Sequence, residues 1–131
     1  MTLRPYTPED SKVICNWVQD EKQLFQWSAD RIGKWPLKGN ELNENDRSLV
    51  RFGFVIVSPE LRGKGNGRKM LELAIQYAKS QLHASRITLG VFANNPKARA
   101  CYESVGFKEY SVRSVNILGS DWECVDMELF I

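Results

Sequence analysis

Apolar positions in the second half of the chain alternate between runs typical of buried strands and spacings typical of helices. Residues Leu49 to Val57 and Arg86 to Phe92 are rich in apolar and β-branched side chains, which predicts two buried strands. Because a strand, a helix and a second strand follow one another here, we expect the two strands to lie parallel in one sheet. The intervening helix carries its apolar residues on one face, at Met70, Leu71, Ala74, Ala78 and Leu82.

Beyond the second strand, the pattern predicts a short helix and a hairpin. Asn95 is a suitable N-cap, Pro96 suits the first helical position, and Gly106 suits the residue just past the end of that helix. Two further strands are expected at Lys108 to Ile117 and at Trp122 to Phe130, on either side of a turn at residues 118–121.

The first half of the chain gives weaker signals. Leu3 to Tyr6 is expected to be a short strand, and Thr7 followed by Pro8 predicts a helix that begins there. Residues 24–27 suggest a second short helix, and residues 33–39 suggest a loop. The polar residues 41–47 show no pattern that assigns them to a helix or a strand. The whole pattern predicts an α/β (α+β) fold that forms a single domain over residues 1–131.

Composition and charge narrow the classes of function. Apolar residues make up 43% of the 131 residues and charged residues 26%, which is typical of a globular domain. The start of the chain does not resemble a signal peptide and no apolar run is long enough to cross a membrane, so we expect a cytoplasmic protein without a membrane partner. A net charge of only +2 argues against bulk binding to nucleic acid.

The cysteines and the histidine do not suggest a metal site. Cys15, Cys101 and Cys124 are widely spaced and odd in number, which predicts free thiols rather than disulfides or zinc ligands. The single histidine, His83, has no cysteine or second histidine near it in sequence, so neither a metal site nor a serine–histidine triad is expected.

A glycine-rich turn between the first buried strand and the long helix is the main candidate for a binding site. Alternating glycines leave backbone N–H groups unshielded at a helix N-terminus, where successive amides and the helix dipole favour an anion. The basic side chains of the turn would add positive charge. The candidate residues are Arg62, Gly63, Lys64, Gly65, Asn66, Gly67 and Arg68.

The glycine spacing distinguishes between phosphate-binding patterns. A P-loop needs Ser or Thr after its lysine, but Lys64 is followed by glycine. The glycine-rich dinucleotide-binding pattern lacks its third glycine here, so neither pattern is present. The pattern that remains is Arg62-x-x-Gly65-x-Gly67, just after Val57-Ser58-Pro59. It resembles the coenzyme A pyrophosphate loop of the GNAT superfamily of N-acetyltransferases, although a turn that merely connects a strand to a helix remains the alternative.

A second motif strengthens the resemblance. Asn95, Ala98 and Tyr102 followed by Gly106-Phe107 resemble the next GNAT motif, in the expected order and one strand further along the chain. The stretch from residue 3 to residue 10 resembles, more weakly, the branch that contains ribosomal-protein alanine acetyltransferases.

The resemblance implies a role for each matching position. Backbone groups at Ile56 and Val57 would bind the pantetheine arm of acetyl-CoA and polarise its thioester carbonyl. The loop from Arg62 to Arg68 would hold the pyrophosphate, and Asn95 would contact the pantetheine arm while also capping its helix. Tyr102 would protonate the departing thiolate after direct attack by an amine, unless it is only a packed aromatic residue.

The acceptor half of the site is less defined. The candidates for the general base are water and three carboxylates near the motifs. A carboxylate in such a position is more often only solvated than catalytic. Aromatic residues of the first half either line an acceptor pocket or belong to the core. The carboxylates are Glu60, Glu103 and Glu109, and the aromatic residues are Trp17, Phe25, Trp27 and Trp35.

The chain departs from the family pattern in one respect. Members usually place a hairpin before the strand that precedes the pyrophosphate loop, but residues 39–48 are too few and too polar for it. We therefore expect a mixed sheet with helices on both faces, reduced by one N-terminal hairpin, in which Leu3 to Tyr6 pairs with Leu49 to Val57. If that pairing fails, an open strand edge would favour a homodimer or a domain swap.

Three functions follow from these observations. The first is an N-acetyltransferase that uses acetyl-CoA and a primary amine, either a protein N-terminus or a small molecule. The alternative is a truncated or engineered GNAT-like module that binds coenzyme A, or only folds, with little or no transfer. A phosphate-binding protein of another class is disfavoured because both other glycine patterns fail.

Overall fold

The computed structural model describes residues 1–28, 48–53 and 55–131, which form four α-helices and four strands. A 3₁₀ turn at Pro59–Leu61 precedes the third helix. In chain order the elements are α1 Asp10–Trp17, α2 Glu21–Ser28, β1 Leu49–Arg51, α3 Asn66–Ser80, β2 Arg86–Phe92, α4 Pro96–Ser104, β3 Lys108–Ile117 and β4 Ser120–Phe130.

The four strands form one mixed sheet in the order β1-β2-β4-β3. β1 pairs parallel with β2, so that Leu49 lies opposite Arg86. β4 pairs antiparallel with both β2 and β3. The expected parallel crossover and mixed sheet are therefore confirmed.

The main core lies on one face of this sheet. Alternate residues of β2 point to opposite faces, and Ile87, Leu89 and Val91 on the core face are almost fully buried. Both α3 and α4 contribute to this cluster, α3 through Leu71 and Ala78. The helix predicted between the strands ends at Ser80, so that Leu82 lies beyond it and is exposed.

The other face carries an ion cluster where β2 has no side chain. Asp126 of β4 is only 6% exposed and lies opposite Gly90 of β2. Its carboxylate accepts a hydrogen bond from Nε of Arg113 at 3.0 Å, and Arg51 Nη2 lies 3.9 Å from its other oxygen. Because a buried carboxylate needs such partners, β1 and β3 are both tied to β4 at this point.

The hairpin of β3 and β4 closes through a two-residue turn. Leu118 and Gly119 have φ angles of 48° and 85°, the left-handed combination that suits the twist of a tight hairpin. The register shifts between Glu109 and Ser111, which marks a bulge at Tyr110 near the start of β3. The predicted hairpin is confirmed, but β4 begins at Ser120 rather than at Trp122, so the turn has two residues rather than the expected four.

The predicted strand at Leu3 to Tyr6 is wrong. These residues are exposed and belong to no strand of the described sheet, and Pro5 lacks the N–H that a sheet ladder uses. Asp10 organises the segment instead, because its carboxylate accepts from the guanidinium of Arg4 and from the backbone N–H of Thr7. These contacts hold the pKa of Asp10 well below its usual range. The helix begins at Asp10 rather than at the expected Pro8.

The strand predicted over Leu49 to Val57 is shorter than expected. It ends at Arg51, and Gly53 follows, a residue type that weakens strands. Phe52 and Val55 still pack against the main core. The apolar composition of this segment therefore indicates burial, and burial does not require strand pairing.

Several expectations fall on residues 29–47, which lie outside the described residues. These are the loop at residues 33–39, the polar segment, Trp35 and the missing hairpin. The pairing of Leu3 to Tyr6 with β1 is absent, and among the described residues β1 pairs with β2 alone. The homodimer and the domain swap stay predictions. None of the described helices is long and apolar enough to cross a membrane.

We predict that Gly90→Ala destabilises the fold by about 1–2 kcal/mol, because the added methyl group is too close to the side chains packed around this residue. A Cβ at Gly90 would lie 3.1 Å from Cys124 Sγ and 3.2 Å from Arg51 Nη2. The matched control is Gly53→Ala, whose Cβ would meet no atom of the described residues within 4 Å. Urea unfolding measures the free energy of unfolding of both variants. Equal values would show that the Arg51 side chain moves away from the added methyl group without loss of stability.

Candidate functional site

The glycine-rich turn lies between the 3₁₀ turn and α3. Gly63 and Gly65 have φ angles of 72° and 81°, a left-handed conformation that only glycine adopts readily. Gly65 is the N-cap of α3, and the predicted loop residues Asn66, Gly67 and Arg68 already form the first turn of this 15-residue helix. The alternating glycines therefore set the direction in which the helix begins.

The backbone amides of this turn are the most distinctive feature of the site. Within the described part of the chain, the N–H groups of residues 63–68 have no hydrogen-bond acceptor, and the first such bond into the helix is from Lys69 to the carbonyl of Gly65. Unpaired amides at a helix N-terminus, preceded by left-handed glycines, form a concave site for an anion. That this turn binds a phosphate stays a prediction.

Arg62 makes structural hydrogen bonds in the turn. Its Nε donates to the carbonyl of Val57 at 2.8 Å, and its Nη2 donates to the carbonyl of Trp17 at 3.1 Å. The guanidinium thus fixes the turn to the end of the preceding segment and to the C-terminus of α1. Its expected contact with a pyrophosphate stays a prediction.

The remaining side chains of the turn are only partly engaged. Lys64 Nζ donates to the carbonyl of Glu60 at 2.9 Å, and Asn66 Nδ2 donates to the carbonyl of Leu61 at 3.0 Å. Arg68 forms an exposed ion pair with Glu72 one helical turn later. Exposed ion pairs are weak, so Lys64 and Arg68 remain available to an anion at the turn.

A gap opens between the two parallel strands beside this turn. The N–H of Phe52 donates to the carbonyl of Thr88, and no later backbone hydrogen bond joins residues 55–57 to β2 among the described residues. Since strand geometry repeats every two residues, the N–H and C=O of Gly90 point into the same gap. Ile56 and Val57 belong to the segment that follows β1, and their expected backbone contacts with a ligand stay a prediction.

Gly90 was missed by the sequence analysis. The available signal was a glycine inside an otherwise apolar strand, which often marks a close approach by another backbone or a ligand. Gly90 is exposed next to the gap, which agrees with such a close approach.

Gly67 brings the elements of the site together. A Cβ at this position would lie 3.2 Å from Cys101 Sγ and 3.7 Å from Val57 Cγ2. The start of α3, the end of the segment after β1 and the middle of α4 therefore meet at one glycine. Cys101 directly precedes Tyr102, so the turn and the second motif are neighbours in space.

The second motif forms as predicted at the level of structure. Asn95 caps α4, because its side chain accepts a hydrogen bond from the N–H of Ala98 at 3.3 Å. Tyr102 is 8% exposed and packs edge-on against Phe107. Burial raises the pKa of the Tyr102 phenol to about 12, which keeps it protonated at neutral pH.

The candidate general bases do not gather at the site. Arg99 donates to the carboxylates of both Glu103 and Glu109, at 2.9 Å in each case. Glu60 is exposed on the 3₁₀ turn. Which group acts as the base stays open.

Comparison with known sequences decides the family. The profile described as the acetyltransferase (GNAT) family matches residues 3–107. The chain belongs to the GNAT acetyltransferase family. The match covers both the glycine-rich turn and the motif around Tyr102.

Two relatives within this family carry specific names. A spermidine N(1)-acetyltransferase of Vibrio cholerae is 40% identical over 55 residues, which cover 42% of this chain and 32% of that protein. A spermine/spermidine N(1)-acetyltransferase of Bacillus subtilis is 37% identical over 70 residues, which cover 53% of this chain and 44% of that protein. The chain thus aligns with less than half the length of each. Neither name supports the ribosomal-protein branch or a protein N-terminus as acceptor.

The fold of the GNAT chain matches a solved structure almost throughout. Spermidine N-acetyltransferase from Vibrio cholerae, in complex with CoA and spermine, superposes with a TM-score of 0.74 and 24% sequence identity. The superposition covers 98% of this chain and 94% of the other. At this identity the match confirms the mixed α/β architecture.

We predict that Gly65→Ala weakens anion binding at the turn. Alanine in the left-handed conformation costs about 1 kcal/mol, and the substitution distorts the direction of the unpaired amides. Inorganic pyrophosphate should raise the melting temperature of the wild type clearly and that of Gly65→Ala much less.

Gly119→Ala is the matched control, because this glycine has a similar φ of 85° and equally open surroundings in the distant hairpin. It should lose comparable stability but keep the full response to pyrophosphate. Equal responses in both variants would show that the anion does not bind at the glycine-rich turn.

Proposed function

We propose that this GNAT chain transfers the acetyl group of acetyl-CoA to a primary amine by direct attack. The observation that carries the proposal is the run of unpaired backbone amides at residues 63–68, at the N-terminus of a long helix and beside an opening in the sheet. These N–H groups can donate hydrogen bonds to the pyrophosphate oxygens of coenzyme A, and the positive end of the helix dipole favours its negative charge.

The rest of the cofactor follows the gap between the strands. Lys64 and Arg68 add positive charge on either side of the pyrophosphate position. The pantetheine arm carries amide groups of its own, so it can pair with the backbone of residues 56–57 and of Gly90 as an additional strand would. Asn95 lies at the end of β2, where its side-chain amide N–H groups remain for the same arm.

The chemistry needs few protein groups. The nitrogen of a neutral amine attacks the thioester carbonyl carbon, a C–N bond forms, and the C–S bond breaks. A backbone N–H near Val57 stabilises the negative charge that develops on the carbonyl oxygen. Tyr102 gives its proton to the departing thiolate, and the proton lost by the amine passes to solvent or to a base.

A polyamine is the acceptor class that we favour. The support is that the named relatives from Vibrio cholerae and Bacillus subtilis are spermidine and spermine acetyltransferases. A polycation also requires carboxylates near its binding site. Three carboxylates that follow closely in the sequence, at Glu41, Glu44 and Asp46, are our candidates for this contact.

We predict that acetyl-CoA raises the melting temperature in a concentration-dependent way. A ligand that binds only the folded state contributes about 2.7 kcal/mol at a hundredfold excess over its dissociation constant. Differential scanning fluorimetry checks this, with ATP as a control ligand. No shift at millimolar acetyl-CoA would refute the cofactor site.

Thiol release then separates transfer from binding alone. In the presence of acetyl-CoA we expect spermidine to release coenzyme A faster than a peptide with a free N-terminal alanine. A thermal shift without thiol release for any amine of a broad panel would leave a module that binds the cofactor without turnover.

We predict that Tyr102→Phe lowers kcat by about 100-fold while the affinity for acetyl-CoA changes little. Phenylalanine fills the same buried space and keeps the edge-on contact with Phe107, so stability should be retained. Because the pKa of the phenol is raised to about 12, its protonated form persists through neutral pH and up to about pH 10. Steady-state kinetics from pH 6 to pH 10 test this, and an unchanged kcat would make Tyr102 a core residue only.

A further inference from the structure

Hydrogen bonds at two points join the first two helices to the loops of the site. Gln26 of α2 donates through Nε2 to the backbone carbonyl of Asn94 at 3.0 Å and to its side-chain Oδ1 at 2.9 Å, across a sequence separation of 68. Arg62 donates to the carbonyl of Trp17 at the end of α1, across a separation of 45. These bonds connect the helices to two distant parts of the chain.

Both contact points lie at the cofactor end of the sheet. Arg62 belongs to the glycine-rich turn itself. Asn94 follows β2 and directly precedes Asn95, the N-cap of α4. The carboxyl ends of parallel strands are where such sheets bind ligands, so the two helices are anchored at the edge that would hold the cofactor.

The two helices have little stability of their own. Each has 8 residues, and α1 contains no buried residue. Isolated helices of this length are marginal in water, so these depend on contacts with the rest of the protein. Elements with few buried contacts open at low free energy, which makes their order sensitive to single hydrogen bonds.

We propose that Gln26 is a positioning residue that couples α2 to occupancy of the cofactor loops. Ligand at the turn and along the gap restrains the residues around Asn94, and the amide of Gln26 passes that restraint to α2. Coupling of this kind is reciprocal, so ordered helices in turn favour a loaded site. The inference rests on the proposed function only for the identity of the ligand.

Hydrogen exchange on α2 tests the coupling with coenzyme A as the probe. In the wild type, coenzyme A should slow amide exchange in residues 21–28. In Gln26→Ala the ratio of the rates without and with ligand should fall by roughly three- to fivefold, the factor for one lost hydrogen bond. A role limited to holding α2 folded would raise both rates equally and leave the ratio unchanged.

Two further variants define what the side chain contributes. Gln26→Glu keeps the size but cannot donate, so it should lose the coupling as Gln26→Ala does. Gln23→Ala is the control one turn earlier on α2, because Gln23 bonds only to nearby Gln19 and Asp20 among the described residues. It should keep the wild-type ratio.

The outcomes are distinguishable from failure of the proposed function. Equal ligand protection in the wild type, Gln26→Ala and Gln26→Glu would overturn the inference, while a thermal shift with coenzyme A would leave the cofactor site standing. The absence of any thermal shift in the wild type would overturn both.

Discussion

The site depends on the point at which β1 stops bonding to β2. Up to Phe52 the two strands share backbone hydrogen bonds, and beyond it the chain leaves the sheet while β2 continues along β4. Backbone N–H and C=O groups that leave a ladder need new partners. Here Arg62 satisfies the carbonyl of Val57, whereas the groups of Gly90 face the opening. The cleft is therefore lined by backbone peptide groups, and side-chain substitutions do not readily remove these groups.

Side-chain packing keeps this opening from collapsing. Phe52 and Val55 are held against the main core, and α3 and α4 cover the same face. On the opposite face, Arg51 reaches over Gly90 to Asp126 just before the strands separate. The separation is thus held from both faces of the sheet, and the proposed ligand would meet a preformed shape with little reorganisation cost.

Local signals were sufficient for much of the fold and for the backbone of the site. The boundaries of β2 and the cap of α4 at Asn95 followed from apolar runs and from Pro and Gly positions, and the glycine spacing located the turn at residues 63–68. The early end of β1 could not be predicted in this way, because an apolar segment can be buried with or without strand pairing. Trp17, one of the two partners of Arg62, lies 45 residues away, and Asn94, the partner of Gln26, lies 68 residues away, so only the fold brings these pairs together.

The bulge at Tyr110 affects how copies of the chain meet at high concentration. β3 is the last strand of the described sheet and is ten residues long, a length that would template another strand along its free edge. The shifted register between Glu109 and Ser111 interrupts that edge, and the charges of Lys108 and Arg113 flank the interruption. An incoming strand cannot keep continuous pairing across it. The same irregularity that bends the hairpin therefore protects the protein against edge-to-edge aggregation.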